Sequence, residues 1–488
     1  MSTWTESMVL TALDDARVEG DAAAHEYGSI STDSRSIEPG ALFVALIGER
    51  FDAHDYLAQV AEKGARAAVV SRIPENAPRS LAYYVVDDTL IALGRLGRYR
   101  RRALNARVLA VTGSNGKTTT KEMLRAVLGT KYRVHATVGN LNNRIGTPLT
   151  LLAAPDDAEV LVVELGTSLP GEIAQLGEIV EPDAAVVTAI SEEHLEGLGD
   201  LNGVLEEEIS IFQSIRDGGF AVVADEPPQL PETARARFAH VHAAGWSERA
   251  DDSLRATDVT LDEHGNVDFV WNGRAVHVPL RGRHNARNAL IALAVATEWG
   301  VAADQAVAAL RELKPAKMRG EVHEYGAITV IADCYNSNPA SLSSAVDLLA
   351  SLPQKRHKVA VVGSMLELGS GSAALHERAA HEIADSSIDL IVATGEFVPA
   401  FAALREALGE RLISVSDPLE AWALLEPRLA GDDVVLLKGS RGVALERLLP
   451  RLEEYGSAPP PRGGRKAGGV ASAHRDAKTA SSAEHSHE

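Results

Sequence analysis

Apolar runs and helical stretches alternate along the first hundred residues. The runs Ala41–Leu46 and Ala65–Val70 are rich in apolar residues and predict strands, and Tyr56–Gly64 predicts a helix between them. The basic stretch Arg95–Arg107 then leads into a new unit. These patterns predict a small α/β domain over residues 1–104.

From Val108 the alternation becomes regular. The run Val108–Gly113 predicts a strand, and the helical stretch after it carries Leu124, Val127 and Leu128 on one face. Two later runs, 158–166 and 183–190, are continuously apolar, as expected for strands covered on both faces of a parallel sheet. We expect this alternation to continue to about Leu313 and to form an α/β domain with right-handed crossovers over residues 105–316.

A third unit begins near Met318 and repeats the alternation of strands and helices. Three further strands ending on glycine are predicted at 357–363, 388–395 and 432–439, with helices such as Ser372–Ile383 between them. The predicted fold is therefore three α/β domains, the third over residues 317–455. From residue 456 the composition shifts to Pro, Gly, Ser, Ala, Lys and His, which predicts a disordered tail to residue 488. His485 and His487 in that tail either bind a metal or are simply solvated.

Composition and charge narrow the function. The chain has 488 residues, 45% hydrophobic and 24% charged, which is typical of a soluble globular protein with about three domains. A formal net charge of −20 argues against a nucleic-acid partner, which needs a basic footprint. An anionic small substrate stays open, because a local cluster of Arg and Lys can override the global sign.

The compartment is predicted from cysteine usage and from the hydrophobic pattern. The single cysteine, Cys334, cannot form an internal disulfide, which fits a reducing compartment. The N-terminus lacks a basic segment followed by an apolar stretch, and no apolar run approaches bilayer length. We therefore predict a cytoplasmic protein without membrane insertion.

A candidate phosphate loop lies between the first strand and the first helix of the central domain. Residues 112–120 read Thr-Gly-Ser-Asn-Gly-Lys-Thr-Thr-Thr, and the general template would place glycine at position 111, where Val111 stands. A plain glycine-rich turn is the alternative, but strand, Gly-Lys-Thr and helix follow in the order that a phosphate loop requires. We expect Lys117 to bridge the β- and γ-phosphates and the Thr118 hydroxyl to hold Mg²⁺.

Two further candidates follow buried strands. Glu164 ends one apolar run, and His194 follows the next. Ligands collect at the carboxyl ends of strands in an α/β sheet, so both are candidate metal ligands. A structural carboxylate and a structural histidine are the alternatives.

The chain resembles the Mur ligases of peptidoglycan synthesis. The shortened loop Thr-Gly-x-Asn-Gly-Lys-[Ser/Thr] is the form that this family uses, and the match runs from about residue 28 to about residue 450. Long segments in all three domains are similar to the family, and these are residues 31–70, 137–152, 162–176, 188–200, 281–296, 333–349, 363–377 and 436–446. The resemblance implies a uridine-nucleotide (UDP-sugar) domain at the N-terminus, a central ATP-binding domain with a parallel sheet, and a Rossmann-like C-terminal domain.

The resemblance implies a role for each residue of this chain that matches a functional position of the family. Ser34 and Arg35 would touch the UDP-sugar, Asn143 and Asn288 would flank the adenine, and Arg319 and Asp333 would complete the nucleotide site from the third domain. Thr118 and Glu164 would hold one Mg²⁺, and His194 a second. The triphosphate would be held by Gly113, Ser114, Asn115, Gly116, Lys117, Thr118 and Thr119. The predicted catalytic residues are Lys117, His194, Glu208 and Arg319.

The chain departs from the family pattern at two positions. Glu208 stands where the family has a lysine whose carbamate is a ligand of the second Mg²⁺. A glutamate already presents a carboxylate and would take that role; alternatively the second metal is weak or absent and Glu206–Glu208 is a solvated acidic face. Ser364 stands where relatives have aspartate.

The resemblance implies a reaction as well. ATP would phosphorylate a carboxylate to an acyl phosphate, which an amine then attacks to form an amide. The C-terminal segments favour the branch that joins D-alanyl-D-alanine to UDP-N-acetylmuramoyl-tripeptide, and we expect a monomer that uses ATP and Mg²⁺. The alternatives are a ligase that adds the third residue, a folylpolyglutamate-like synthetase, and a phosphate-loop ATPase switch without ligation. A third-residue ligase typically carries Asp-Asn-Pro-Arg, whereas residues 336–340 read Asn-Ser-Asn-Pro-Ala.

Overall fold

The computed structural model of the chain describes residues 3–21, 26–353 and 356–457. Three α/β units follow one another, each built on its own main sheet, as the alternation predicted. The predicted boundaries after residues 104 and 316 fall in the connections 104–106 and 311–320, which join neighbouring elements. The predicted tail from residue 458, with His485 and His487, lies outside the described residues, whereas residues 456–457 end the helix Leu449–Ser457.

The N-terminal unit is a five-stranded sheet with one antiparallel edge strand. In spatial order its strands are Arg17–Glu19, Ala82–Val85, Ala67–Val70, Leu42–Val44 and Ile30–Ser31. A two-stranded ribbon pairs Trp4–Thr5 with Glu26–Tyr27. The α-helices of this unit are Glu6–Leu13, Leu57–Glu62 and Thr89–Ala103. Both predicted strands and the predicted helix are confirmed, with shorter bounds.

The basic stretch at the end of this unit anchors it to the central domain. Arg101 is buried on the helix Thr89–Ala103; it donates to the carbonyl groups of Val180 and Glu181 and forms an ion pair with Asp183 at 2.9 Å. The Asp183 carboxylate also accepts from the backbone of the first central strand. The arginines therefore compensate carboxylates and carbonyl groups at the domain junction.

The central domain is a six-stranded parallel sheet. In spatial order its strands are Val241–Ala244, Phe220–Ala224, Ala184–Val187, Arg107–Thr112, Val160–Glu164 and Val134–Ala136. Its α-helices are Lys117–Leu128, Gly146–Leu152, Glu172–Val180, Leu195–Leu198, Leu201–Ile209, Gln229–Arg237, His284–Glu298 and Ala303–Leu310. After Arg107–Thr112 the chain adds two strands on one side, the outer one first, and then three strands on the other side. The phosphate loop therefore lies at a topological switch point, where open α/β sheets bind ligands.

The predicted alternation up to Leu313 is wrong between residues 257 and 281. There the chain forms an antiparallel three-stranded sheet of Thr257–Leu261, Asn266–Trp271 and Arg274–Arg281. Asn272 and Gly273 both have positive φ and close a two-residue hairpin. The middle strand buries every second residue, so an alternating pattern and an Asn-Gly turn were the signals of this meander.

The third unit is a six-stranded sheet with one antiparallel edge strand. In spatial order its strands are Glu321–Tyr325, Ile328–Asp333, Val434–Lys438, Lys358–Val362, Leu390–Ala393 and Leu412–Ser414. Its α-helices are Pro339–Ser351, Ser372–Asp385, Phe397–Ala400, Arg405–Leu408, Pro418–Leu425 and Leu449–Ser457. The Ser364 hydroxyl, after one central strand, accepts a hydrogen bond from Glu396 N at 2.9 Å. Across the described residues, no helix combines the length and apolar character that crossing a bilayer requires.

Candidate active site

A cavity of about 960 Å³ lies between the central and third domains. Its size is at the upper end of the range for small-molecule sites. Eleven of the predicted site residues line it, and these are Ser114, Asn115, Gly116, Lys117, Thr119, Asn143, Glu164, His194, Asn288, Arg319 and Asp333. Because the lining comes from both domains, the cavity exists only in this docked arrangement.

The phosphate loop, Gly113–Thr118, has a backbone that only glycine permits at two points. Gly113 has φ +121°, and a Cβ atom there would lie 2.5 Å from Thr188 Oγ1. Gly116 has φ +85° at the N-cap of the helix Lys117–Leu128, and a Cβ there would lie 2.7 Å from Asn288 Oδ1. Val111 is still part of the buried strand, paired with Glu164. The strand Arg107–Thr112 therefore still includes position 111, where the general phosphate-loop template has its first glycine. The glycine that opens the loop in this chain is Gly113, two residues later.

The Lys117 ammonium lies over its own loop. Its Nζ donates to the Gly113 carbonyl at 2.5 Å and lies 3.7 Å from Glu193 Oε1. Lys117 is the first residue of the helix Lys117–Leu128, and at this end of a helix the backbone N–H groups and the helix dipole favour anions. The ammonium is therefore within the loop that a polyphosphate would occupy.

Glu164 ends its strand as a buried carboxylate on the cavity wall. Its Oε1 accepts from Thr118 Oγ1 at 3.2 Å and from Asn142 Nδ2 at 2.9 Å, and its Oε2 lies 3.7 Å from Lys121 Nζ. Oε2 is buried and has no hydrogen-bond donor among the described residues. An orphaned carboxylate oxygen beside a threonine hydroxyl fits a hard divalent cation such as Mg²⁺.

Glu208 lies beneath the phosphate loop. It is 1% exposed, and its Oε2 accepts from the Thr112 hydroxyl at 2.5 Å and from Gly113 N at 2.9 Å. Burial raises the pKa of Glu208 to about 7, against the opposing effect of nearby Lys117. Glu208 is not among the described residues that line the cavity. The structure therefore places this buried carboxylate against the backbone of the loop at Gly113, and the predicted solvated acidic face is wrong for Glu208.

His194 joins the central domain to the third. It has φ +52°, and its Nδ1 forms a hydrogen bond with the Glu367 carboxylate. Glu196 N also donates to the Glu367 carbonyl at 3.2 Å, and Arg378 pairs with Glu192 at 2.5 Å. The loop that carries His194 is thus a docking surface for the third domain.

Asn115 of the phosphate loop makes a second connection between the domains. It exchanges hydrogen bonds with Asn338, whose Nδ2 donates to Asn115 Oδ1 at 3.0 Å and whose Oδ1 accepts at 3.2 Å. Asn338 is also the N-cap of the helix Pro339–Ser351 and forms a capping box with Ser341. Sequence reasoning missed both Asn338 and Glu193. The Asn338-Pro339 pair indicates the start of a helix, but no local signal in the sequence shows that the Asn338 side chain contacts the phosphate loop.

The two predicted site residues of the third domain, Arg319 and Asp333, also line the cavity. The Arg319 guanidinium lies 4.3 Å from the centroid of the Tyr335 ring, which holds it by a cation–π contact. Asp333 lies 3.4 Å from the buried Lys438 ammonium, and burial lowers the pKa of Lys438. The cavity therefore has cationic groups on the wall opposite the phosphate loop.

The two predicted adenine contacts lie on the central domain. Asn288 is buried on the helix His284–Glu298, and its Nδ2 donates to Asn285 Oδ1 at 3.1 Å. The Asn143 Oδ1 atom accepts from the backbone of Ile145 and Gly146. Both line the cavity, and their roles stay predictions.

The structure keeps Ser34 and Arg35 apart from this cavity. They follow the edge strand Ile30–Ser31 of the N-terminal sheet, and Lys63 Nζ donates to both of their carbonyl groups. The Arg35 side chain is 85% exposed and pairs with Asp33, a contact that lowers the pKa of Asp33 to about 2. Two nitrogens of the guanidinium donate to the Asp33 carboxylate, and the roles of Ser34 and Arg35 at a separate UDP-sugar subsite stay predictions.

The fold and the cavity define a phosphate-loop protein whose nucleotide-type site is completed by a second α/β domain. Three family models match the chain in order: the Mur ligase family catalytic domain over residues 26–100, the Mur ligase middle domain over 111–296, and the Mur ligase glutamate ligase domain over 318–441.

Two curated relatives are similar over almost their whole length. The UDP-N-acetylmuramoyl-tripeptide–D-alanyl-D-alanine ligase of Bacillus subtilis is 36% identical over 447 residues, which cover 90% of this chain and 96% of the relative. The enzyme of the same name from Escherichia coli is 35% identical over 439 residues, covering 88% and 94%. The chain belongs to the Mur ligase family.

Solved structures agree in fold. MurF from Acinetobacter baumannii superposes with a TM-score of 0.85 at 33% identity, covering 93% of this chain and 99% of that one. MurF ligase from Thermotoga maritima in complex with ADP gives 0.78 at 29% identity, covering 88% and 97%. Folylpolyglutamate synthase from Mycobacterium tuberculosis gives 0.60 at 19% identity, which shows a shared fold alone.

Proposed function

We propose that this chain is an ATP-dependent ligase that joins D-alanyl-D-alanine to UDP-N-acetylmuramoyl-tripeptide, in the synthesis of peptidoglycan precursors. The observation that carries the proposal is the shared cavity, in which the phosphate loop of one domain faces cationic residues of the next. The similarity to the dipeptide-adding relatives over about nine-tenths of the chain supports the choice of substrates.

The chemistry requires activation of a carboxylate. The γ-phosphoryl group of ATP passes to the tripeptide carboxylate, giving an acyl phosphate and ADP. The dipeptide amine then attacks the acyl carbon, and the tetrahedral intermediate collapses to an amide and inorganic phosphate. Because an anionic carboxylate must approach an anionic phosphate, catalysis depends on positioning and on cationic groups near the transferred phosphoryl group.

The residues of the cavity support these demands. Lys117 would leave the Gly113 carbonyl for the β- and γ-phosphates, and Arg319, held on Tyr335, would meet the phosphates from the third domain. Thr118 and Glu164 would hold Mg²⁺, which, when bound, neutralises phosphate charge. Asn143 and Asn288 would flank the adenine, and Asp333 would complete the nucleotide site. Ser34 and Arg35 would hold the UDP-sugar in the N-terminal domain.

The setting of the reaction is part of the same proposal. Both walls of the cavity come from one chain, which supports an active monomer. The only cysteine, Cys334, is buried and free, which accords with a reducing compartment and supports the cytoplasm as the site of action.

The decisive experiment measures ADP release with purified chain, ATP and Mg²⁺. We expect release to need both UDP-N-acetylmuramoyl-tripeptide and D-alanyl-D-alanine, and mass spectrometry to find the UDP-pentapeptide product. A single amino acid with a UDP-dipeptide, and glutamate with a folate, test the two other ligase hypotheses. Release that ignores the amine would instead indicate an ATPase switch and would contradict the proposal.

A further inference from the structure

A buried carboxylate lies beside His194 and was not part of the predicted site. The Glu193 side chain is 4% exposed, its Oε1 lies 3.7 Å from Lys117 Nζ, and its Oε2 lies 4.0 Å from His194 Nε2. Asn338 Nδ2 donates to Oε2 at 3.4 Å. Burying a carboxylate is costly unless a cation compensates it, and Lys117 stays beyond hydrogen-bond distance. Glu193 therefore has the capacity to bind a further cation.

The neighbouring histidine is oriented as metal-binding histidines are. The Glu367 carboxylate can only accept, so the Nδ1 atom of His194 carries the proton of their hydrogen bond. In the neutral ring Nε2 is then the lone-pair atom, and it is the ring nitrogen nearer to Glu193. A carboxylate on the far ring nitrogen is the usual support of a metal-bound histidine.

Glu208 is placed differently. One of its oxygens accepts from both the Thr112 hydroxyl and Gly113 N, and the residue is buried. These are contacts that hold the phosphate loop in shape. The carboxylate that lies within 4.0 Å of His194 Nε2 is that of Glu193.

We propose that Glu193 and His194 hold the second divalent cation beside the nucleotide phosphates, and that Glu208 is a positioning residue that anchors the phosphate loop. This inference rests on the proposed function, since the cation accompanies the nucleotide. Glu367 and Asn338 orient the two ligands and both belong to the third domain. The site is therefore complete only when that domain is docked.

The test counts Mn²⁺ bound to the full chain with a β,γ-methylene analogue of ATP, without peptide substrates. Electron paramagnetic resonance measures the stoichiometry and the ¹⁴N coupling of a histidine ligand. We expect two Mn²⁺ in the wild type and in Glu208→Gln, which keeps the acceptor oxygen for the loop. We expect one in Glu193→Gln, and loss of the ¹⁴N coupling in His194→Gln.

The proposal is overturned by one Mn²⁺ in the wild type, by two in Glu193→Gln, by one in Glu208→Gln, or by ¹⁴N coupling that survives in His194→Gln. Thermal unfolding without metal checks that each variant folds. If Glu193→Gln does not fold, Glu193→Asp keeps the charge on a shorter side chain; we expect it to weaken the second Mn²⁺, and unchanged affinity overturns the proposal.

The Glu367→Gln variant tests whether the carboxylate bonded to His194 supports the second cation. Loss of a carboxylate behind a metal-bound histidine typically weakens metal binding by about 10–100-fold, so the second Mn²⁺ should weaken by that factor while the first stays unchanged. Equal affinity for the second ion overturns the proposal. Because no peptide substrate is present, the result is independent of whether the chain ligates D-alanyl-D-alanine. Absent ligation with two bound Mn²⁺ would contradict the proposed function alone.

Discussion

The Glu208→Gln variant should make the central domain more stable at alkaline pH. The carboxyl group is buried, and burial raises its pKa from the ordinary 4.5 to about 7. Between these values the folded protein binds a proton that the unfolded chain does not, so the unfolding free energy falls as pH rises through that window. At about 1.4 kcal/mol per pKa unit, the cost of the charged carboxylate above pH 7 is about 3 kcal/mol.

Glutamine removes the titration and keeps an oxygen for Thr112 and Gly113. The variant should match the wild type near pH 4.5 and exceed it by up to about 3 kcal/mol at pH 8. Native-state hydrogen exchange of peptides spanning the strand Arg107–Thr112, with metal and nucleotide removed, measures the local unfolding free energy.

A matched control lies on the same helix. Glu206 pairs with Arg237 at the surface, so Glu206→Gln should change stability by less than about 1 kcal/mol. A Glu208→Gln protein that is less stable than the wild type at pH 8, or a difference that does not vary with pH, would refute the reasoning.

Three further variants test the cavity. Lys117→Ala should reduce dipeptide-dependent ADP release by at least about 10²-fold, because it removes a charge contact to the phosphates; unchanged turnover at an unchanged melting temperature would contradict this role. Asn338→Ala loses a helix cap and the bonds to Asn115, so urea unfolding should show a loss of about 1 kcal/mol, and kcat should fall more than the ATP KM rises. Gly113→Ala places a Cβ 2.5 Å from Thr188 Oγ1, so calorimetry should show ATP binding weakened at least about tenfold, and wild-type affinity would count against the backbone argument.

Much of the fold could be predicted because its determinants are local. Apolar runs such as Val160–Glu164 bury every residue, and strands covered on both faces need no alternation. The phosphate loop was equally visible, since Gly113 and Gly116 are required by backbone angles of their own residues. The antiparallel sheet at 257–281 departs from the predicted alternation of strands and helices, because its strands follow a two-residue period and Asn272-Gly273 forms a tight turn between two of them.

Only part of the candidate site could be predicted from the sequence. Lys117, Glu164 and His194 follow strands or begin a helix, so position alone indicated them. The sequence does not distinguish Glu193 and Asn338 as site residues, because a carboxylate next to a histidine and an asparagine before a proline are common in loops.

By itself the sequence determined three α/β units, a phosphate loop and the set of side chains at the strand ends, because these depend on residues close together along the chain. Only the tertiary structure decided that Glu208 is buried against the loop backbone at Gly113 and that Asn115 meets Asn338, 223 residues away. The physical reason is that helix packing and domain docking, which no local pattern encodes, determine which buried oxygen faces which donor. The catalytic cavity belongs to that second category, since it exists only where two separately folded sheets face one another.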